Sequence, residues 1–451
     1  MAYNPDRINF ESWGRFPKVS HLGGITPYSI NEVHTALNSV SSNVLPRGMG
    51  RSYGDSCLNE NGYLLFTKLL NKFINFSPVS GILQCESGVT IDEILQVFVP
   101  HGWFLPVTPG TKFVSVGGAI ANDIHGKNHH QNASFGNHLI RFELARSDGT
   151  KIICSKEENV DWFKATIGGL GLTGIILWAE FSLKPIHGPY IDMESIKFND
   201  LDEFFQISKE SEPNYEYTVS WLDCMSSSYR IRGIFMRGNH SPSREDNPTK
   251  VLHKNPCWKF FPFDAPSFFL SASTIKMFNF LYYHKQLKKS LKSRAHYEPF
   301  FYPLDNIRHW NRMYGKRGFL QWQCVLPRAD QKESIRKILE EITKSKLGSF
   351  LAVLKEFGNL SSQGMLSFPM PGVTLALDFP IGGKQVFSLL DALDTMVIDF
   401  GGRLYPAKDA RMASQTFHAS FPELENFAKY IDPKLSSSFY RRVGGYGGQT
   451  K

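Results

Sequence analysis

A glycine motif in the first half of the chain restricts the folds that this sequence can adopt. Gly169, Gly171 and Gly174 match GxGxxG, the fingerprint of a Rossmann unit, which requires a strand before the motif and a helix after it. Here the order is reversed, because the helix-like DWFKAT precedes the glycines and the β-branched run GIILWAEF follows them. The sequence therefore argues against a Rossmann unit and predicts a turn that leads into a strand.

The residues before about 186 contain short strand-like runs separated by glycine turns. Apolar residues in 91–103 recur at helical spacing, and Thr90 and Glu93 predict a capping box at the start of that helix. A hairpin with an Asp-Gly turn is predicted over 139–155, and another strand over 174–186. This pattern is typical of a domain built from short strands and turns.

The remainder of the chain has a different character. Aromatic residues are dense after residue 187, a helix is predicted over 331–346, and strands are predicted over 319–327 and 373–381. A length of 451 residues exceeds what a single core usually organises. We therefore expect an N-terminal cofactor domain, a substrate domain and a C-terminal segment that returns to the first domain, with the boundaries 1–186, 187–401 and 402–451.

Charge and cysteine content restrict the possible partners and the compartment. A net charge of +8 suits nucleic acid, an anionic membrane surface or a phosphorylated substrate, without choosing among them. The six cysteines include no CxxC pair, so we expect reduced thiols in a reducing compartment and no metal site. No signal pattern opens the sequence and no run of about 18 apolar residues occurs, which favours a cytoplasmic location without a membrane span.

The first segment that could carry chemistry is LPRGMGRSYGDS, residues 45–56. Three glycines stand among two arginines and an aspartate, and glycine permits the close backbone approach that aims successive N–H groups at a diphosphate. Considered alone, the segment fits an ordinary surface turn equally well.

The second segment is PGTKFVSVGGAIANDIHGKNHH, residues 109–130. His125, Lys127, His129 and His130 cluster at its end. The lysine argues against a bound cation, so a cationic pocket for a phosphate or a reduced flavin is the better interpretation, and a solvated basic loop is the alternative.

A lysine near the C-terminus is the third candidate. Lys408 lies in RLYPAKDAR, a segment of otherwise mostly small and apolar residues. A lysine held near an active centre can act as a base when its pKa is lowered, or it can keep its charge and stabilise an anion. An isolated lysine is more often merely solvated.

Together these segments resemble the FAD-linked oxidases of the vanillyl-alcohol oxidase class, and within that class the family of decaprenylphosphoryl-ribose oxidases. The resemblance runs nearly end to end and is most specific in DIHGKNHH and GGRLYPAKDAR. It implies an α+β, two-domain PCMH-type FAD-binding fold with an antiparallel-sheet substrate domain. Related oxidases carry a histidine that bonds covalently to the flavin where this chain has Tyr53, so the resemblance implies non-covalent FAD.

The resemblance also implies roles for individual residues. His125 and Lys408 are expected to be catalytic. The residues expected to bind FAD are Arg47, Gly48, Met49, Gly50, Arg51, Ser52, Tyr53, Gly54, Asp55, Ser56, Gly110, Ser115, Val116, Gly117, Gly118, Asn122, Asp123, Ile124, His125, Ile176 and Tyr405. The residues expected to line the substrate pocket are Lys127, Tyr302, Gln321, Gln323 and Lys355.

The implied reaction is oxidation of the 2-hydroxyl of a polyprenylphosphoryl-β-D-ribose, a lipid-linked sugar phosphate, with the hydride going to flavin N5. It forms the first half of an epimerisation to the arabinose form for cell-wall arabinan, which a short-chain dehydrogenase/reductase partner completes. One departure is Ala376, which replaces a cysteine of some members. The alternatives are an oxidase of a small soluble alditol or aldonolactone, and a flavin-binding protein without turnover; no nucleic-acid module is recognised.

Residues 265–297 predict contact with an anionic membrane surface. The segment contains no Asp or Glu, and its aromatic first part is followed by a basic second part. The aromatic residues expected to enter the interface are Phe268, Phe269, Phe278, Phe280, Tyr282 and Tyr283. The basic residues expected to meet the headgroups are Lys276, Lys285, Lys288, Lys289, Lys292 and Arg294. An apolar section that enters the bilayer interface beside cations that meet anionic headgroups is typical of peripheral binding. We therefore expect a protein that is peripheral at the inner membrane face.

Overall fold

The computed structural model describes residues 10–226, 231–242, 259–261, 263–266 and 270–444. The strands are β1 (Gly23–Ile25), β2 (Val44–Arg47), β3 (Tyr63–Phe66), β4 (Phe73–Ser77), β5 (Ile82–Glu86), β6 (Trp103–Phe104), β7 (Leu139–Ala145), β8 (Lys151–Ser155), β9 (Ile175–Ser182), β10 (Lys184–Pro185), β11 (Tyr190–Phe198), β12 (Tyr217–Leu222), β13 (Gly233–His240), β14 (Lys259–Phe260), β15 (Ser290–His296), β16 (Ile307–Arg308), β17 (Phe319–Pro327), β18 (Ala352–Phe357), β19 (Gly372–Pro380) and β20 (Arg403–Leu404). The helices are α1 (Val33–Asn38), α2 (Ile91–Phe98), α3 (Val116–Ala121), α4 (His129–Asn132), α5 (Val160–Thr166), α6 (Leu201–Ser211), α7 (Ala272–His284), α8 (Tyr297–Phe301), α9 (Gln331–Ser345), α10 (Gly383–Asp399), α11 (Ser414–Ser420), α12 (Leu424–Ala428) and α13 (Ser438–Val443).

Two sheets organise the N-terminal part of the chain. A parallel three-stranded sheet has the order β1-β3-β2, and an antiparallel five-stranded sheet has the order β4-β5-β9-β7-β8. The predicted capping box is confirmed, because Thr90 Oγ1 accepts from the Glu93 amide and the Thr90 amide donates to Glu93 Oε2. The hairpin predicted over 139–155 is also confirmed as the β7–β8 pair.

The order of elements around the glycine motif is as the sequence predicts. Helix α5 precedes the glycines and strand β9 follows them. Gly171 has φ +75°, a left-handed conformation that favours glycine. A Cβ on Gly174 would lie 2.7 Å from Leu144 Cγ, so this glycine permits the close approach of β9 to β7. The motif therefore serves strand packing and opens no Rossmann helix.

An antiparallel eight-stranded sheet, in the order β15-β11-β13-β12-β18-β19-β17-β20, forms the second layer. Strand β17 is buried on both faces. Trp322 and Leu326 pack into the core that α6, α9 and α10 share, while Gln321 and Gln323 point to the opposite face, since side chains alternate along a strand. Mixed helices and antiparallel sheets confirm the α+β fold class.

The C-terminal segment contacts both the large sheet and the parallel three-stranded sheet. β20 pairs with β17 at the edge of the large sheet, whereas Leu435 forms a parallel bridge with Val44 of β2. Arg442 then pairs with Asp55 near the predicted diphosphate loop. These contacts place the C-terminal residues beside the site, and the domain boundaries at 186 and 401 stay predictions.

Candidate active site

A cavity of about 1380 Å³ lies between the N-terminal sheets, the large sheet and the C-terminal segment. All five residues expected to bind substrate and both residues expected to be catalytic line it. The FAD-site residues that line it are Arg47, Gly48, Met49, Gly50, Arg51, Ser52, Tyr53, Ser56, Gly110, Ser115, Gly117, Gly118, Asn122, Ile124, His125, Ile176 and Tyr405. Segments that are far apart in the sequence thus meet in one cavity.

Four residues that were expected to bind FAD do not line the cavity. Gly54 packs against the C-terminal segment, where a Cβ would lie 1.7 Å from Asp409 O, and the Asp55 carboxylate pairs with Arg442. Val116 is fully buried in the core. Asp123 turns inward to accept hydrogen bonds from Ser134, Ser367 and the Gly136 amide. These four residues lie behind the cavity wall, where they contact other protein groups.

The glycine loop has the donors and the space that a diphosphate needs. Within the described part of the chain, the amides of Gly48 to Ser52 donate no hydrogen bond to a protein acceptor. A Cβ on Gly48 would lie 2.2 Å from Ser115 Oγ, so glycine lets this backbone approach the second segment. The hydroxyls of Ser56 and Ser87, which line the cavity, are buried and have no hydrogen-bond partner among the described residues. These free donors fit the diphosphate and ribityl groups of FAD.

His125 lies at the centre of a buried polar cluster. The Nδ1 atom is 2.9 Å from Lys355 Nζ, and the Nε2 atom is 3.1 Å from Gln323 Nε2. Lys355 also donates to Gly126 O at 2.6 Å. Burial, followed by the nearby Lys355, His129 and Lys408, holds the pKa of His125 well below its usual value, so the imidazole is neutral.

The donors and acceptors around His125 indicate which atoms of this cluster carry a proton. Thr374 Oγ1 donates to Cys324 O, so it accepts from Gln323 Nε2. The second hydrogen of the Gln323 amide then points to His125 Nε2, which leaves the imidazole proton on Nδ1. That proton faces Lys355 Nζ, which accepts it only as a neutral amine. Burial and the neighbouring Lys127 and Lys408 hold the pKa of Lys355 well below its usual value, in agreement with this assignment.

Lys408 and Asp378 are two further buried ionisable groups, and each influences the pKa of the other. Lys408 Nζ lies 3.9 Å from the centre of the Tyr53 ring. Burial lowers the pKa of Lys408 to about 8, and Asp378 acts in the opposite direction. Burial raises the pKa of Asp378 to about 6, although Gln321 donates to its Oδ1 at 2.5 Å. Attraction to Asp378 favours the protonated form of Lys408 at neutral pH.

Asp378 is a site residue that the sequence reasoning missed. It is the only charged residue of strand β19 and is fully buried. An aspartate within an apolar strand is a usable signal, because Asp is almost never fully buried unless it is paired. Its register opposite Gln321 on β17 could not be predicted from the local pattern.

Only part of the cationic pocket predicted around His125 forms in the structure. His125 and Lys127 line the cavity, but His129 does not and instead packs on Phe357 with ring centroids 4.3 Å apart. Burial lowers the pKa of His129 to about 3, so the ring is neutral. His130 Nε2 contacts Tyr215 O at 2.9 Å outside the cavity. The predicted cationic pocket was therefore wrong for His129 and His130, which do not line the cavity, and the neutral His125 adds no charge to it.

Lys127 is one of the basic residues of the cavity wall. Within the described residues it has no carboxylate within ion-pair distance, and its Nζ lies 5.8 Å from the centre of the Phe300 ring. Burial lowers its pKa to about 8. The hydroxyl of Tyr302, also in the wall, is 2.5 Å from Thr108 Oγ1. The described residues contain no group of His, Cys, Asp and Glu side chains placed to hold a metal ion.

Comparisons of the sequence with known proteins identify its relatives. Residues 23–155 match the family described as FAD binding domain. Decaprenylphosphoryl-beta-D-ribose oxidase of Mycolicibacterium smegmatis is 36% identical over 433 residues, 92% of each chain. An uncharacterized protein of Streptomyces coelicolor is 27% identical over 374 residues, 79% of this chain and 100% of that one. Mouse L-gulonolactone oxidase is 23% identical over 188 residues, 41% of this chain and 42% of that one.

The fold and the FAD-binding match together define an FAD-dependent oxidoreductase that acts on a CH–OH group. Identity over nearly the whole length narrows this class further. The chain belongs to the family of decaprenylphosphoryl-β-D-ribose oxidases.

We predict that the FAD is bound without a covalent link. Tyr53 occupies the glycine loop, and its phenol cannot form a histidyl bond to the flavin. Acid precipitation of the purified yellow protein is expected to release all the flavin into the supernatant, measured by absorbance. Flavin that stays with the pellet would contradict the prediction.

Proposed function

We propose that the protein oxidises the 2-hydroxyl of a polyprenylphosphoryl-β-D-ribose to a ketone. The observation that carries the proposal is that the His125–Lys355 pair and the Gln321 and Gln323 amides open into the same cavity as the glycine loop. The substrate is taken from the name of the relative that matches over 92% of the chain. Oxidation requires that a hydride and a proton leave the same carbinol.

Lys355 is the proposed acceptor of the hydroxyl proton. A neutral amine in the cavity wall can take a proton, and the Nδ1–H of His125 holds its lone pair in place until the substrate arrives. The Gly126 carbonyl accepts from Lys355 at 2.6 Å and favours the charged product of that transfer. When bound, FAD takes up the hydride at N5 of its isoalloxazine ring.

Three further side chains have proposed binding or electrostatic roles. The charge of Lys408, kept by Asp378, stabilises the negative charge that develops on the cofactor. Gln321 Oε1 is buried without a partner in the described structure and can accept from a sugar hydroxyl. Lys127, which has no carboxylate partner in the described residues, can contact the substrate phosphate.

The ketone requires a second enzyme if it is to become an epimerised sugar. We propose that this reaction is the first half of an epimerisation to the arabinose form for cell-wall arabinan, and that a short-chain dehydrogenase/reductase partner reduces the keto sugar. Adding such a reductase and NADH to the oxidised substrate is expected to yield the arabinose epimer by mass spectrometry and NMR. Recovery of the ribose form alone would rule out the epimerisation.

Anaerobic reduction of the flavin tests the oxidation itself. Mixing the pure protein with decaprenylphosphoryl ribose without oxygen is expected to bleach the flavin absorbance near 450 nm in a stoichiometric reaction. L-Gulonolactone and an alditol serve as the competing substrates, because the match to mouse L-gulonolactone oxidase favours a small soluble substrate as the second candidate. If only these small compounds bleach the flavin, the substrate is a small soluble compound and the proposed lipid-linked substrate is wrong.

A further inference from the structure

We infer that helix α7, the following loop 285–289 and strand β15 form a surface that docks on an anionic lipid bilayer; this α7–β15 surface is defined by its exposed apolar and basic side chains. Met277 is 65% exposed and Leu281 60%, and Phe278 and Phe280 are also exposed. In the loop, Leu287 is 92% exposed. Large apolar side chains grouped on one surface mark a binding site.

The side of helix α7 opposite to these exposed residues packs against the rest of the protein. Ile275, Asn279 and Tyr283 recur every four residues and are buried. The Asn279 amide donates to Ser349 O, and the Tyr283 hydroxyl donates to Asn199 Oδ1. The exposed apolar side chains therefore lie on a helix whose opposite face is already packed against the protein. The sequence predicts Tyr283 as an inserting aromatic, and its burial shows that this assignment was wrong. Phe268 and Phe269, predicted with it, lie outside the described residues.

The basic residues of the α7–β15 surface differ in whether a carboxylate lies close enough to pair with them. Six are exposed, but Lys289 pairs with Glu203, Arg294 pairs with Asp192, and Lys292 lies opposite Glu194 in the sheet register. In the described part of the chain, the remaining three have no carboxylate within ion-pair distance, and they are Lys276, Lys285 and Lys288. Each free cation near an anionic surface strengthens partitioning about fivefold before screening. Three cations together contribute roughly a hundredfold.

The surface adjoins the cavity. Phe278 packs edge-on against Phe350 with ring centroids 5.2 Å apart, and the next residue, Leu351, lines the cavity. At its other end, β15 finishes at His296, which also lines the cavity. A bilayer under this surface would therefore lie beside the site. The functional link between the bilayer and the cavity rests on the proposed lipid-linked substrate, whereas the inference that the α7–β15 surface binds a bilayer does not.

A lipid surface fits these side chains better than a second copy of the chain. A symmetric dimer through the α7–β15 surface would bring the three free lysines of one copy against those of the other. Residues 265–297 contain no Asp or Glu to compensate them. Anionic headgroups supply the missing charge, and the acyl region accepts the apolar side chains. Among the described residues, no helix combines the length and the hydropathy that a membrane span requires.

Liposome flotation of the holoprotein tests the inference. Vesicles of phosphatidylcholine with phosphatidylglycerol are expected to float the protein at low salt, and vesicles of phosphatidylcholine alone are expected to float much less. The triple variant Lys276→Glu, Lys285→Glu, Lys288→Glu is expected to lose at least a hundredfold in partitioning, and Phe280→Ser with Leu281→Ser at least tenfold. A control reverses three exposed lysines elsewhere, Lys151, Lys316 and Lys384, and is expected to retain binding.

The outcomes separate the surface from the proposed reaction. Failure of the native protein to float on anionic vesicles at low salt would overturn the inference, and so would equal losses in the two triple variants. Self-association that disappears in the α7 variants, without flotation, would show an interface between copies instead. Flavin bleaching by a short-chain, detergent-dispersed substrate is measured in parallel. Flotation without bleaching removes the proposed substrate but leaves the surface intact.

Discussion

Replacing Lys408 by alanine is expected to slow reduction of the flavin by substrate by ~10²–10⁴-fold while FAD stays bound. The side chain lies in the cavity against the Tyr53 ring, and among the described residues it makes no hydrogen bond to the glycine loop. Its loss therefore removes a positioned charge without unfolding the cofactor site. Stopped-flow absorbance under anaerobic conditions measures the rate. The exposed Lys429→Ala is the matched control and is expected to reduce its flavin at the native rate.

The pH profile distinguishes a charge from a base at Lys408. Burial lowers its pKa to about 8, so the ammonium form is lost as pH rises through that value. If the charge is what assists the reaction, the rate falls above about pH 8. Lys408→Arg, whose guanidinium does not titrate in this range, is expected to keep a measurable rate without that alkaline decline. A native rate that increases through pH 8 would assign Lys408 as the base instead of Lys355.

Replacing Arg442 by alanine is expected to destabilise the protein by ~3–5 kcal/mol and to weaken retention of FAD. The guanidinium donates to Asp55 at 2.8 and 2.9 Å and to Asp409 at 2.8 Å, and both carboxylates are buried. Removing it leaves two buried negative charges side by side. Asp55 belongs to the segment that carries the diphosphate loop, so the disturbance reaches the cofactor. Urea unfolding and gel filtration of the flavin complex measure the two effects.

A surface arginine with a similar number of partners is the control for that variant. Arg336 on α9 pairs with Glu333 and Glu340, but these side chains are partly or largely exposed. Arg336→Ala is expected to leave the urea midpoint unchanged, since solvent and salt screen such pairs. An Arg442→Ala protein with the native midpoint and full flavin content would show that the C-terminal ion pairs do not secure the site.

Local patterns were sufficient for many individual elements. The capping box before α2, the hairpin β7–β8 and the strand β17 each depend on neighbours that lie within a few residues in the sequence. The placement of Gln321 and Gln323 on the cavity face also follows from the alternation of side chains along a strand. Such features are encoded by spacing, and spacing can be taken directly from the sequence.

Exposure could not be predicted in the same way. The composition of 265–297 suggested six cations and a row of aromatics that meet a membrane. Packing then buried Tyr283 and paired Lys289 and Arg294 with carboxylates from α6 and β11. Those carboxylates lie 86 and 102 residues earlier in the sequence, and they come close because β15 pairs with β11. Which side chains remain free is therefore a property of the assembled sheet.

The sequence by itself determined the cofactor class, the glycine turns that admit a diphosphate and the strand that presents the amides. Only the tertiary structure decided the chemistry of the cavity, because its decisive contacts join distant segments. Lys355 meets His125 across 230 positions of the chain, and Asp378 reaches Gln321 through a register that no local pattern specifies. Burial then shifts the pKa of each group, and burial exists only after the two layers have closed around the cavity.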